Sequence, residues 1–439
     1  MTQAGVTSSR YWQPWATPKR PLLIRDARVL TLSGGGRPRR GGAMRELSVL
    51  PHGDVLIAGG LIQAVGEGVS SPDAEVIDAA GRVLMPGFVD AHTHACWSGG
   101  ATHRLDEWEF KLQGTPYLDI LARGGGIMAS VRTVRAASRA DLTSELLDRL
   151  TLLLRDGTMT VEVKSGYGLS TDSELKMLGA ITDAARAFRG TIVPTALLGH
   201  ATDDAAPGGR EGFIDETIRH TLPQVTAHYP GLAIDAYCER GAWTLEECER
   251  LLTAAQLNGH PVRVHADQFS SLGMVDLAIA RNALSVDHLE ATPSHDLARL
   301  AASRTMGVLL PACGLHLDGR YANGRALIDA GGAVCVASNL NPGSAPCYNM
   351  AMVLALAVRG CGLTAAEAIT ASTINPAVLL GFGDRGTIEA GKRADLLLLR
   401  HRDERALAFC LGDQPIELVI CGGQVVPEPP PMAAVPGRE

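Results

Sequence analysis

Through the middle of the chain, short continuous apolar runs alternate with stretches of helical period. Eight runs predict strands: Phe88–His94, Met159–Lys164, Ile192–Gly199, Ala233–Cys238, Val262–His265, Ala283–His288, Gly307–Pro311 and Ala333–Ser338. Helices are predicted between them over Asp141–Arg155, Ser173–Phe188, Leu245–Asn258, Leu272–Arg281 and His295–Ala302. Apolar strands each followed by a helix mean a parallel sheet covered on both faces. Eight of them predict an α/β fold with a closed (β/α)8 barrel of the TIM type.

The two ends of the chain read differently. Leu22–Leu32, Asp54–Val65 and Val76–Leu84 near the start, and Leu396–Leu399 and Glu417–Ile420 near the end, have β character. Two β-rich ends around an α/β middle predict a small composite β-sandwich built from both termini. The expected organisation is an arm at 1–21, the sandwich from 22–84 and 385–426, the barrel over 85–384, and a flexible tail at 427–439. The Gly- and Arg-rich stretch Ser33–Arg45 reads as a solvated hairpin loop.

A barrel of this kind carries its chemistry at the C-terminal ends of its strands, so polar residues should collect there. They do: His92 and His94, Lys164 to Gly168, His200, Glu239, His265 to Gln268, Asp287-His288 and Ser338 to Ser344 all follow predicted strands. His92 and His94 sit at alternate positions, so both face one way and suit a single zinc-like ion. Half-buried loop histidines are the plain alternative for such a pair alone. A ring of histidines at several strand ends favours a metal or catalytic centre.

The remaining composition narrows the setting. A net charge of −7 and no basic run on a predicted helix argue against a nucleic-acid partner. Nine scattered cysteines without a Cys-x-x-Cys pair suit reduced thiols in a cytoplasm. No apolar stretch reaches membrane-spanning length, and no secretory signal is apparent, so a cytoplasmic protein is expected.

Certain segments are more specific. Pro86 to His94, Lys111-Leu112-Gln113-Gly114, Gly124-Gly125-Gly126-Ile127, Val161 to Leu169 with its Lys164-Ser165-Gly166-Tyr167-Gly168, and Asn341-Pro342-Gly343-Ser344 together resemble the imidazolonepropionase-like members of the amidohydrolase superfamily. The resemblance runs from about residue 22 to 425. It implies a mononuclear divalent metal site, zinc first and iron second, in a barrel joined to a composite sandwich, and a homodimer. By position it implies His92, His94 and His265 as metal ligands and Arg104 as the grip on a substrate propionate. Tyr167 and His200 would line the pocket, Asn341 and Gly343 would hold its far end, and His288 would stand beside the scissile bond. A small anionic tail suits the two-pronged guanidinium. Arg104 in a salt bridge with Asp106 or Glu107, and Tyr167 as a core aromatic, are the plain alternatives.

Two positions break the family pattern, and both lose a carboxylate. The family has His-Ala-Asp-Glu where this chain has His265-Ala266-Asp267-Gln268, and Asp-Phe-Asn-Pro-Gly where it has Asn339-Leu340-Asn341-Pro342-Gly343. Asn and Gln keep the shape but accept no proton near neutral pH. His288, Asp267 and His200 are then the candidate bases, with Gln268 and Asn339 at the altered positions. Cys96, Cys238, Cys313 and Cys347 are candidate nucleophiles, or simply small buried hydrophobes. The function expected is hydrolysis of a five-membered, amide-like nitrogen ring bearing a propionate. The ring is imidazolonepropionate or a less basic relative such as 2-thioxo-5-oxoimidazolidine propionate, which would release sulfide. A catalytically inactive ligand-binding or sensor protein of the same fold is the alternative.

Overall fold

A computed structural model describes residues 20–34, 36–100, 102–115, 119 and 125–427. Of the expected arm only Arg20 and Pro21 fall among them. The tail beyond Pro427 and Gly124 of the glycine run lie outside the described residues.

The first strands are β1 (Leu22–Leu30), β2 (Val49–Ala58), β3 (Leu61–Gly66), β4 (Glu75–Asp78) and β5 (Val83–Pro86). The β segment expected over 54–65 is divided. Gly59 and Gly60 take φ of 62° and 80°, the backbone a two-residue hairpin turn requires, and Ala58 pairs with Leu61 across it. Pro86-Gly87 then passes the chain from this sheet into the barrel. Gly87 donates its amide to Asp395, Phe88 donates to Gly157, and a Cβ on Gly87 would meet Met159 Sδ at 2.7 Å.

The barrel strands are β6 (Phe88–Asp90), β7 (Thr158–Lys164), β8 (Thr191–Gly199), β9 (Ala233–Cys238), β10 (Val262–Ala266), β11 (Ser285–His288), β12 (Met306–Leu309) and β13 (Val334–Val336). Each pairs with the next in parallel and in chain order, as the apolar runs predict. Just past their ends, β13 and β6 are tied together. Asn339 donates its amide to the His92 carbonyl at 3.0 Å, His94 to Leu340 at 2.9 Å, and Ser338 donates to Asp90. The seam of a nearly closed barrel therefore runs through the histidine pair.

Helix boundaries follow their caps. The helix Arg139–Arg155 starts ahead of the expected Asp141 because Ser138 and Asp141 form a capping box, and it buries Leu142, Leu146, Leu150, Leu153 and Leu154. Thr244 and Glu247 do the same for Leu245–Leu257.

The last strands, β14 (Leu396–Leu399), β15 (Ile416–Cys421) and β16 (Gln424–Val425), join the amino-terminal ones in a mixed sheet of order β16-β15-β14-β5-β1-β2-β3, with β4 on β1. It curls over a core that includes Ile24, Val29, Val55, Ile57, Leu84, Leu396, Leu398 and Ile420. Turns from opposite ends of the chain meet there, since a Cβ on Gly423 would lie 2.9 Å from Gly60 Cα.

The segment 33–45, expected as a solvated loop, is solvated at its start, where Ser33, Gly34, Gly36 and Arg37 are exposed, but from Pro38 to Met44 it docks on the barrel. Its polar groups serve inward: Arg40 donates to the carbonyls of Ala301, Ser303 and Gly331, Gly41 donates to Gly332 at 2.9 Å, and Arg45 pairs with Glu367. Met44 is fully buried in the main core. Met44→Ala should therefore destabilise the protein by about 2–5 kcal/mol in urea unfolding. A loss within about 0.5 kcal/mol, the range of ordinary surface changes, would mean that the segment is not docked.

Candidate metal and active site

Three imidazoles converge at the barrel mouth. His94 Nε2 lies 3.2 Å from His92 Nε2 and 3.3 Å from His265 Nε2. The other ring nitrogen of two of them is engaged by a carboxylate: His92 Nδ1 stands 2.6 Å from Asp287 and His265 Nδ1 3.0 Å from Asp235. A neutral imidazole has one N–H and one lone pair, so these carboxylates fix the protons on Nδ1 and leave both Nε2 lone pairs aimed at His94. A single His94 proton satisfies only one of them, and lone pairs at this distance repel unless a cation lies between. Ligands at about 2.05 Å around a tetrahedral ion stand about 3.3 Å apart, the spacing found. The three residues fit a divalent ion. Burial, reinforced by Lys164 and the neighbouring rings, pushes His92 and His94 well below the usual imidazole range, so their lone pairs stay available.

The carboxylates are held in turn. Lys164 Nζ contacts Glu162 and Asp235, each at 2.8 Å, and Arg263 contacts Asp287 at 2.8 Å and Glu162 at 3.3 Å. All five side chains are buried, on strands β7, β9, β10 and β11. Three carboxylates against two cations leave this layer with a formal charge of −1, complementary to an ion above it.

Above the histidines lies a cavity of about 470 Å³. Its wall includes His94, Arg104, Tyr167, His200, His265, Gln268, His288, Asn339, Asn341 and Gly343, so most of the residues expected at the site meet there. Arg104 is shared. Glu107 takes its Nε edge at 2.9 Å, while NH1 lies so close to Gly343 that a Cβ there would be 2.0 Å away. Burial pushes the Glu107 carboxyl up, but Arg104 and Lys111 outweigh it and hold it at about 2. The salt bridge and the place in the cavity thus coexist. Asn341 spends its amide on the loop, accepting from Gly343 and Ser344 and donating to the Asn339 carbonyl.

His200 donates Nδ1–H to the Gly166 carbonyl at 2.9 Å, and burial, with His265 beside it, pushes it down to about 3. Gln268 accepts from Tyr237 OH at 2.8 Å and donates to Cys313 Sγ at 3.4 Å, so its amide is fixed. Asn339, at φ 55°, points a buried Oδ1 with no hydrogen-bond partner. His288, at φ 86°, is held by Glu290 at 3.2 Å from Nδ1. Both are left-handed positions for non-glycine residues, the strained backbone typical of functional sites. Asp267 accepts from Thr292 at 2.9 Å through Oδ2, and its Oδ1 is buried without a hydrogen-bond partner among the described residues. Burial pushes the thiols of Cys96, Cys313 and Cys347 up, which disfavours the nucleophilic thiolate.

Sequence reasoning overlooked Tyr237 and the supports Asp235, Glu162 and Glu290, while Glu107 is the salt-bridge partner of Arg104 that the sequence offered as one alternative. A signal existed for two of them: Glu162 and Asp235 interrupt otherwise apolar strands.

The comparisons with known proteins agree with this geometry. A model described as the amidohydrolase family matches residues 75–109 and 121–427. An imidazolonepropionase of Deinococcus radiodurans is 44% identical over 88% of this chain and 96% of its own length. The chain belongs to the amidohydrolase family, among its imidazolonepropionase-like members. It is accordingly a hydrolase acting on a cyclic amide, from a metal-dependent superfamily, with a three-histidine site to match. A further imidazolonepropionase, of Herpetosiphon aurantiacus, is 40% identical over 92% of the chain and 96% of that protein. Solved structures share the fold. A triazine hydrolase variant has a TM-score of 0.68 at 21% identity, covering 93% of this chain and 94% of that one. A 5-methylcytosine deaminase from Klebsiella pneumoniae has 0.68 at 19%, covering 94% and 98%.

Because Asp287 sets the His92 tautomer, Asp287→Asn should weaken metal binding about 10–100-fold, read as metal retained against a chelator. Unchanged retention would contradict the tautomer argument.

Proposed function

We propose that the chain hydrolyses a five-membered cyclic amide ring carrying a propionate, and that its ring is a neutral, less basic relative of imidazolonepropionate: 2-thioxo-5-oxoimidazolidine propionate. The observation that carries this is the pairing of an intact frame with two neutral amides. Gln268 and Asn339 line the cavity at positions where the resemblance expects carboxylates, Arg104 lines the same cavity, and His92, His94 and His265 form a group able to hold an ion.

The tail end follows from charge. Arg104 NH1 and the nearby Lys111 give the cavity a cationic end for a carboxylate, with Glu107 fixing the guanidinium from behind. The ring end lacks an anion that would attract a protonated ring. Gln268, oriented by Tyr237, keeps an N–H to offer to an oxygen or sulfur acceptor on the ring. Asn339 offers its unpartnered Oδ1 as an acceptor for a ring N–H. His288 is the base: Glu290 accepts from Nδ1–H, which leaves Nε2 with its lone pair to take a proton from water and return it to the leaving atom. Zinc is the ion that His92, His94 and His265 would hold, supplying a Lewis acid and a more acidic bound water. In the balanced reaction a thiocarbonyl and water give a carbonyl and hydrogen sulfide, so the ring persists as a hydantoin.

Imidazolonepropionate itself is the second reading, favoured by what the relatives are called. Turnover of the two rings by the purified protein decides between them. The proposal expects sulfide from the thioxo ring and little opening of imidazolonepropionate; family-like opening of imidazolonepropionate alone would overturn it. Binding of both without product would identify a sensor. Arg104→Gln should raise KM about 10–100-fold with either ring, the worth of a charge-assisted hydrogen bond. An unchanged KM would remove Arg104 from the tail site.

A further inference from the structure

A second set of ligating atoms includes His288, whose Nδ1 already contacts Glu290. His288, Glu290 and Cys313 each offer one donor atom, all within 4.8 Å of one another. The set is enclosed: the His288 and Glu290 side chains are 3% and 5% exposed, and Cys313 is buried under Gln268. Glu290 uses one oxygen on His288, and the other, Oε2, is buried without a hydrogen-bond partner among the described residues. An unpaired buried carboxylate oxygen is costly, and it points to an occupant that the protein's own donors do not supply.

The donors say which occupant. Imidazole nitrogen, carboxylate oxygen and cysteine sulfur together suit zinc and the borderline-soft ions near it, rather than magnesium or calcium. The charges also close: a divalent ion with one thiolate and one carboxylate sums to zero, which a buried site requires. We propose that His288, Glu290 and Cys313 form a second zinc-class site, separate from the three-histidine centre, whose occupancy inhibits the enzyme. On binding, the Cys313 thiol releases its proton to solvent and the ion takes the Nδ1 lone pair. Neutral His288 keeps its single proton, now on Nε2. His288 then donates from Nε2 where it had accepted. The inhibitory half rests on the assignment of His288 as base; the site itself does not.

Cobalt(II) titration of the metal-stripped full-length protein tests both halves. The three-histidine centre has no sulfur ligand, and the titration is run in a Cys410→Ser background because the more exposed His401, Cys410 and Asp413 also lie within ligating reach of one another, so a thiolate-to-cobalt charge-transfer band in the near ultraviolet there reports the second site. The proposal expects two ions per chain, a band that grows with the second, and a fall in turnover of the active ring over the same increments. Cys313→Ser should bind one ion, lack the band and lose the inhibition by excess metal. Glu290→Gln, an independent check, should weaken the second ion about tenfold or more. One ion per chain, no band in the Cys410→Ser background, or a band that survives Cys313→Ser there overturns the site. A band lost in Cys313→Ser with no inhibition at two ions per chain leaves the site standing and overturns its inhibitory role, and with it His288 as the base.

Discussion

Two short contacts organise this molecule: Asp287 on His92 and Asp235 on His265. They turn two imidazoles so that their lone pairs meet at His94, which can satisfy at most one of them with a proton, and a divalent ion among the three rings would satisfy all. The contacts depend on a layer of buried charge. Lys164 and Arg263 hold the carboxylates in place across four strands, and neither set of charges could be buried alone, since breaking one partner from such a cluster costs about 3–5 kcal/mol. The barrel's strand order supplies the register that makes this possible. His265 and Asp235 come from the adjacent strands β10 and β9, and Lys164 from β7, two strands along.

On this frame the site divides into parts with different freedoms. The three histidines and their supports are locked by charge and burial. The Arg104 end of the cavity is locked by sterics as well, because Gly343 leaves no space for a side chain beside Arg104. Gln268 and Asn339 line the same cavity at positions where the family resemblance expects carboxylates. Neutral amides there keep the hydrogen-bonding shape of carboxylates and give up their charge and proton affinity. In the proposed reading that change selects for the ring's basicity and alters the route of the proton, and it leaves Arg104 untouched.

Much of the fold was legible because a parallel barrel writes itself as continuous apolar runs, and the site because the polar residues follow those runs. The boundaries that shifted did so for local reasons, such as Ser138 capping a helix early and Gly59-Gly60 splitting a β segment. The supports were harder to read. His92 and Asp287 are 195 positions apart, and no local pattern links them. Glu162 and Asp235 stood out only as charges inside apolar strands, without a visible partner. Asp267, next but one to a metal ligand, reads like a base, yet it enters the left-handed region at φ 57° and turns to Thr292. The docking of Met44 was hidden by the glycines and arginines around it.

The central claim is that Gln268 and Asn339 choose the ring. The most direct measurement is the ratio of kcat/KM for the thioxo ring to that for imidazolonepropionate, in the wild type and in the Gln268→Glu/Asn339→Asp double variant, with metal content matched. The account predicts that restoring both carboxylates moves the ratio toward imidazolonepropionate. A ratio that stays where it was, in a double variant that still holds its metal, would show that the ring is selected elsewhere in the cavity.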